Sequence, residues 1–371
     1  MYAAPKAHWL EYNDLWNFTT LLIRTLANNA VLRQMVRRLD LYLPRAACRP
    51  HNCYEIREEL DRVQQNDFLY GLVKTGLGGA AGVLLLLTPK LEQLEISSDA
   101  SPGSINDDPG REVLDVLVHE KATNYHPTGV LPSLHTLKLC NTLPVPLWIA
   151  FRNLRTLEIG AQYFIPDFSD WPDLDITRLT IFHHIEMLLK DPDPALKDIC
   201  DRTGDMISKC PKLKDLRLYL VENDSSMWRL RSPTDKGSFN QLCRKIASVA
   251  PTLEHLDLTE SAHATPLRYG YLRELGPIDT LAHFTKLKTL RVFGQALYKP
   301  ATNMGDASIT PLPPNFQAIE VRRPDMDFFE TICDTFNTLI PRSRWPMQFR
   351  VDGERGRHRF YIYDNEMDIP N

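Results

Sequence analysis

Residues 210 to 220 read CPKLKDLRLYL, and their middle, LKDLRL at 213 to 218, is one copy of a recurring phrase, L-x-x-L-x-[LIV]. Leu216 and Leu218 are two residues apart, so in an extended strand both point to one face, while Arg217 between them points to the other. One such strand leaves its apolar side uncovered and must be stacked against further copies. Those copies exist: VRRLDL (36 to 41), LEQLEI (91 to 96), LHTLKL (134 to 139), LRTLEI (154 to 159), ITRLTI (176 to 181), LEHLDL (253 to 258), LKTLRV (287 to 292) and FQAIEV (316 to 321). The result is a stack of parallel strands.

Parallel neighbours need a crossover of a dozen or more residues, usually helical. The pattern therefore predicts an α/β fold, an irregular leucine-rich repeat solenoid (horseshoe) with a parallel concave sheet and convex helices. From first apolar residue to first apolar residue the intervals run 55, 43, 20, 22, 37, 40, 34 and 29. Only the third, fourth and last match the roughly 20 to 29 residues of a regular repeat. Most coils are expected to carry a long helix or an inserted loop, and the 55-residue gap has room for a degenerate coil. In TPKLEQL, LPSLHTL, CPKLKDL and APTLEHL a proline sits two or three residues ahead of the first leucine, where it ends the preceding helix. VLLLL before the first of these, and Phe239, Leu242, Ile246 and Val249 before the last, read as convex-side helices.

Three regions follow: an N-terminal cap over 1–35, the solenoid over 36–322 and a C-terminal cap over 323–371. Leu15, Phe18, Leu21, Leu22 and Leu26 recur at helical spacing, and Asn28 or Asn29 is placed to cap a second short helix ending at Met35. After Val321, MDFFETICDTFNTLI reads as a helix with Phe328, Phe329, Ile332, Phe336 and Leu339 on its apolar faces. MQFRV and RFYIY read as two strands joined by a hairpin at DGERG.

Lys plus Arg is 43 and Asp plus Glu is 47, a net charge of −4 without long single-sign runs, which argues against a nucleic-acid partner. The opening MYAAPKAHWLEYND lacks the basic start and apolar core of an export signal. The longest apolar stretch, Gly76 to Leu87, is too short for a bilayer, which takes about 20 residues. Seven cysteines, mostly scattered singly, suit reduced thiols. These features predict a cytoplasmic or nuclear protein with no membrane partner.

Candidate chemistry is sparse. Cys48, His51 and Cys53 have ligand-like density but no second pair at zinc spacing, so a loop with free thiols is the expectation and no metal is assigned. The glycine run Gly76 to Gly82 follows no apolar strand, so it reads as a flexible or closely packed helix start rather than a phosphate loop. His183, His184 and Glu186 lack the spacing of a zinc-hydrolase helix and read as a strand end or loop. No catalytic motif or constellation is present, so neither an enzyme nor a cofactor is predicted. Residues 222–238, 259–280 and 294–315 read as long loops leaving strand ends, with Trp228 and Tyr298 as the aromatics of interest.

On the concave face the middle column, Asp40, Glu95, Lys138, Glu158, Thr180, Arg217, Asp257, Arg291 and Glu320, alternates in charge. The next column holds Phe182, Tyr219 and Phe293. Together with Arg217, His255 and Arg291 these rings have the composition of a protein-binding hot spot, and they are the candidate partner-binding residues. The opposing expectation is that helices or loops bury the rings as core. Eight strand steps span about 40 Å, enough for a folded protein or a peptide.

The P-x-L-x-x-L-x-L phrases, the irregular coil lengths, the opening RTLANNAVLRQMVRRLDL and the acid-rich loops together resemble the leucine-rich portion of fungal F-box-like proteins over about residues 15 to 321. That resemblance implies a non-catalytic protein–protein interaction scaffold, the target-recognition part of an F-box type ubiquitin-ligase receptor, with a protein target. An adaptor subunit is implied as a partner only if the start is truncated, because the segment before the first helix is shorter than an F-box. A stand-alone leucine-rich repeat scaffold unrelated to ubiquitin is the alternative, with an enzyme that uses the loops behind it.

Overall fold

The computed structural model describes residues 12–43, 66–73, 77–98, 109–118, 131–140, 153–160, 171–184, 199–221, 239–260, 277–299, 308–314, 317–322, 348–352 and 359–363. The chain divides into two compact units, residues 1–166 with 170–176 and residues 167–169 with 177–371. Each is α/β and built on parallel strands, an arrangement compatible with a solenoid.

In the first unit, helices α1 (Tyr12–Asn28) and α2 (Ala30–Met35) precede strand β1 (Arg38–Leu43), and helices α3 (Asn66–Val73) and α4 (Leu77–Leu86) precede β2 (Gln93–Ser98). Helix α5 (Pro109–Val118) leads towards β3 (Thr136–Cys140), and β4 (Thr156–Ile159) follows. The four strands pair in chain order, all parallel, with Leu39, Leu94, Leu137 and Leu157 in register. β1 pairs directly with β2, so no strand stands between them in the sheet, and the described residues of the 55-residue interval include the helices α3 and α4.

Asn29 caps α2 by accepting the Leu32 amide at 3.0 Å. On α1 the buried stripe is Thr19, Ile23, Leu26 and Ala27, whereas Phe18 and Leu21 are exposed. The expected apolar face is thus rotated, since a helix with apolar residues on two sides leaves the choice to its neighbours. Helix α4 is buried all round. A Cβ on Gly82 would lie 2.7 Å from Val116 Cγ1 of α5, so the glycine run permits close helix packing.

The prolines do more than end helices. Leu91 donates its amide to the Thr88 carbonyl at 3.1 Å, Leu134 to Leu131 at 3.1 Å and Leu213 to Cys210 at 3.0 Å. Each bond closes a four-residue turn whose second position is Pro89, Pro132 or Pro211, where the fixed φ of proline suits the turn. The carbonyl just after the first apolar residue then accepts two amides from the next coil. Arg37 accepts from Glu92 and Gln93, Glu92 from His135 and Thr136, Lys214 from Glu254 and His255, and Lys288 from Gln317 and Ala318. This repeated bond sets strand register from the backbone, independent of side chains.

In the second unit the strands are β5 (Arg178–His184), β6 (Asp215–Val221), β7 (His255–Leu258), β8 (Thr289–Phe293), β9 (Tyr298–Lys299), β10 (Ser308–Ile309), β11 (Ala318–Arg322), β12 (Gln348–Asp352) and β13 (Arg359–Tyr363). Helix α6 (Ile199–Ser208) comes before β6, helix α7 (Phe239–Lys245) with a 3-10 turn (Ile246–Val249) before β7, and the helical turn α8 (Gly294–Leu297) after β8. Strands β5, β6, β7, β8, β11 and β12 pair in that order in parallel, and β13 closes antiparallel on β12. Leu179, Leu216, Leu256, Leu290 and Ile319 are in register and buried. The two C-terminal strands fall where the sequence predicts them; the helix expected over MDFFETICDTFNTLI lies outside the described residues, as do Cys48, His51, Cys53 and Trp228.

The segment 294–315 is not simply a loop. Residues Gly294–Leu297 form a buried turn, and β9 and β10 pair as an antiparallel ribbon. Thr310 donates its hydroxyl to the Ile278 carbonyl at 2.6 Å, tying this insertion to the coil entry. His183 and His184 are the last two residues of β5, the strand end that the sequence predicts; Glu186 lies outside the described residues. His183 is fully buried on β5, with its Nε2 3.3 Å from the Thr203 hydroxyl of α6.

Candidate functional site

All six sequence-predicted binding residues fall in the second unit, on β5 to β8. With the leucines buried on one side of each strand, the alternate positions make the opposite face. Its rows are set by register: Arg178, Asp215, His255, Thr289 and Ala318, then Thr180, Arg217, Asp257, Arg291 and Glu320. Phe182 and Tyr219 pair in the next row.

Five of the six predicted residues lie on this face, half-buried. The Phe182 and Tyr219 ring centroids are 5.3 Å apart at 51°, the tilted geometry favoured by aromatic quadrupoles. Phe293 departs from the prediction: it is 0% exposed and belongs to the core. Its row position is that of a face residue, but the chain turns at once into buried α8, which removes the solvent side of this strand end.

The alternating charges form a cross-strand ladder of ion pairs. Asp215 accepts Arg178 Nε at 2.9 Å from β5, and Arg217 Nε and Nη2 at 3.1 and 3.0 Å from its own strand. Asp257 accepts Arg291 Nη1 at 2.9 Å, the Tyr219 hydroxyl at 3.2 Å and the Thr259 hydroxyl at 2.6 Å. Glu320 accepts Arg291 Nε at 2.8 Å and Arg322 Nε at 2.7 Å. At the strand entries Glu254 lies between Lys214 at 3.1 Å and Lys288 at 2.5 Å. His255 stands apart from the ladder, its Nδ1 2.6 Å from the Thr289 hydroxyl.

Burial pushes the Asp257 carboxyl above the usual range, against the opposing pull of Thr259, Arg291 and Tyr219. Burial, then the Asp257 charge, raises the Tyr219 phenol. The hydrogen bond to Asp215 raises Arg217, so its charge is secure. On Arg291 burial opposes the charge, but the bond to Glu320 and the charges of Asp257 and Glu320 prevail. These are structural ion pairs that hold guanidinium groups in fixed positions.

In the first unit the corresponding face carries Arg38 with Asp40 at 3.0 Å and Lys138 with Glu158 at 3.4 Å. Cys140 is half-exposed there, its thiol pushed up to about 11 by burial and by Glu95 and Glu158. Among the described residues, Cys140, Cys210 and Cys243 are not joined in disulfides, no group of three or more His, Cys, Asp or Glu could hold a metal ion, and no helix is long and apolar enough to cross a membrane.

The sequence picks out Arg217 and Arg291 as binding residues and Asp257 and Glu320 only as members of an alternating column, whereas Arg178 and Asp215 are not picked out. The signal was present in Arg178, Asp215 and Arg322, which sit at face positions of the same phrases and become visible once strands are aligned. No family model matches the chain, and no curated protein matches it.

Proposed function

We propose that this chain is an irregular leucine-rich repeat solenoid acting as a non-catalytic protein-binding scaffold, the target-recognition part of an F-box type ubiquitin-ligase receptor. The observation that carries the binding reading is the tilted Phe182–Tyr219 pair beside Arg217 and Arg291, rings and guanidiniums held half-exposed on a rigid sheet. Protein interfaces concentrate their energy in such Tyr and Arg residues, because ordered side chains lose little entropy on binding. The ubiquitin link rests on the resemblance of the repeat phrases to fungal F-box-like proteins. A cytoplasmic or nuclear site is supported by the cysteines not joined in disulfides.

The test is co-purification of the tagged chain from its native host with identification by mass spectrometry, alongside a version extended through any upstream reading frame. The ligase reading expects a target protein with both forms and adaptor and cullin subunits with the extended form. A stable partner without those subunits in either form would make it a stand-alone scaffold. Turnover of a small molecule abolished by one His or Cys substitution would overturn the non-catalytic reading.

A further inference from the structure

We propose that the strand face of the second unit takes an acidic, extended polypeptide segment, its carboxylates meeting the Arg178–Arg217 and Arg291–Arg322 pairs and an apolar side chain meeting Phe182 and Tyr219. This deepens the protein-binding reading and rests on it.

The charges on this face are layered. The carboxylate side chains of Asp215, Asp257 and Glu320 are 11, 7 and 15% exposed, whereas the guanidiniums of Arg178, Arg217, Arg291 and Arg322 are 54, 40, 38 and 24% exposed. The acids lie beneath and the cations on top. Counted together with Lys214 and Lys288 around Glu254 at the strand entries, the ion pairs named here hold six cations to four carboxylates, on a chain whose net charge is −4. The fold therefore concentrates positive charge here against the sign of the whole protein. Arg178 donates through Nε alone among the described residues, leaving the outer edge of its guanidinium for a ligand carboxylate.

The buried acids also argue against nucleic acid. A phosphate backbone needs an unbroken basic track, and Asp257 and Glu320 interrupt this one. A peptide can place carboxylates discontinuously. Arg217 on β6 and Arg291 on β8 are two strand steps apart, roughly 10 Å, which three residues of extended chain span at about 3.3 Å each. The expected ligand has Asp or Glu about three residues apart and an apolar side chain near one end, where the aromatic pair sits beside β6.

Substituting Arg178→Gln with Arg322→Gln tests this without dismantling the ladder, because Asp215 keeps Arg217 and Glu320 keeps Arg291. The probe is a labelled peptide of about eight residues, long enough for four strand steps of about 4.8 Å, with Glu at every third position and one Leu. Its Gln counterpart and a single-stranded oligonucleotide of equal length are the controls, measured by fluorescence anisotropy on the full chain over a salt series. The inference expects the Glu peptide to bind at least about tenfold tighter than the Gln peptide, to weaken with salt, and to lose about fivefold or more on the double variant. The variant loses one bond to Asp215 and one to Glu320, so its melting temperature should fall while unfolding stays cooperative, and binding is compared well below that temperature. Equal binding of both peptides, tighter binding of the oligonucleotide, or indifference to the double substitution would overturn it. A protein partner that co-purifies equally with parent and double variant would sink this inference while leaving the scaffold reading intact.

Discussion

The hydroxyl of Tyr219 on β6 donates to Oδ2 of Asp257 on β7 at 3.2 Å, the same oxygen that receives Arg291 Nη1 from β8 at 2.9 Å. One buried carboxylate thereby positions both a ring and a guanidinium of the candidate binding face. Tyr219→Phe removes one bond to a charged acceptor and should destabilise by about 1.5 kcal/mol, read from urea midpoints. Asp257→Ala strips three donors at once and should cost about 3 kcal/mol. Equal midpoints for both would show that the carboxylate does not organise the face.

Leu216→Asp places a charge at a fully buried position and should cost several kcal/mol beyond the roughly 1.5 to 3 that a buried leucine contributes. Cooperative unfolding by circular dichroism at an unchanged temperature would mean the repeat register is wrong. Phe293→Ala should behave similarly, losing about 3 to 5 kcal/mol as a core substitution rather than acting on partner binding.

Gly82→Ala pits two effects against each other. Helix propensity favours alanine by about 1 kcal/mol, but the new Cβ meets Val116 Cγ1 at 2.7 Å and Cβ at 2.8 Å. Overpacking of about 1 to 3 kcal/mol should win, giving a net loss. Adding Val116→Ala relieves the clash, so the Gly82 substitution should be less costly in that background; strict additivity in a double-mutant cycle would exclude the contact.

Hydrogen bonds from Lys288 and Lys214 hold the Glu254 carboxyl at about 2, below its ordinary 4.5. The folded value lies under the unfolded one, so this pairing contributes above pH 4.5 and is lost as the pH falls towards 2. Glu254→Gln should therefore be less stable than the parent near neutrality, with the gap closing across that window. A gap that stays constant in an acid titration would rule out the ion pairs as its source.

Cys140 is half-exposed but its thiol sits at about 11, raised by burial and then by Glu95 and Glu158. Alkylation by iodoacetamide at pH 8 should be much slower than for a free cysteine, because the thiolate is the nucleophile. Glu95→Gln should accelerate it, and an unchanged rate would exclude the Glu95 charge as a cause.

Strand positions were legible in the sequence because Leu216 and Leu218, and their equivalents in every phrase, cannot both be buried in any other extended arrangement. A cap at Asn28 or Asn29 was legible because capping is local, and the structure selects Asn29. The buried side of α1 was not, since Phe18, Leu22, Ile23 and Leu26 offer overlapping stripes and only neighbouring elements choose among them. Phe293 was misread for a related reason: alternation places it on the face, but α8 covers the end of β8.

The sequence by itself determined the repeating strand, its inward leucines and the turns at Pro89, Pro132 and Pro211, because each depends on residues within one short window. Only the tertiary structure decided that Asp215, Asp257 and Glu320 lie beneath the arginines. That layering depends on which strands become neighbours across 29 to 40 residues of intervening chain, and on how deeply each side chain is then covered.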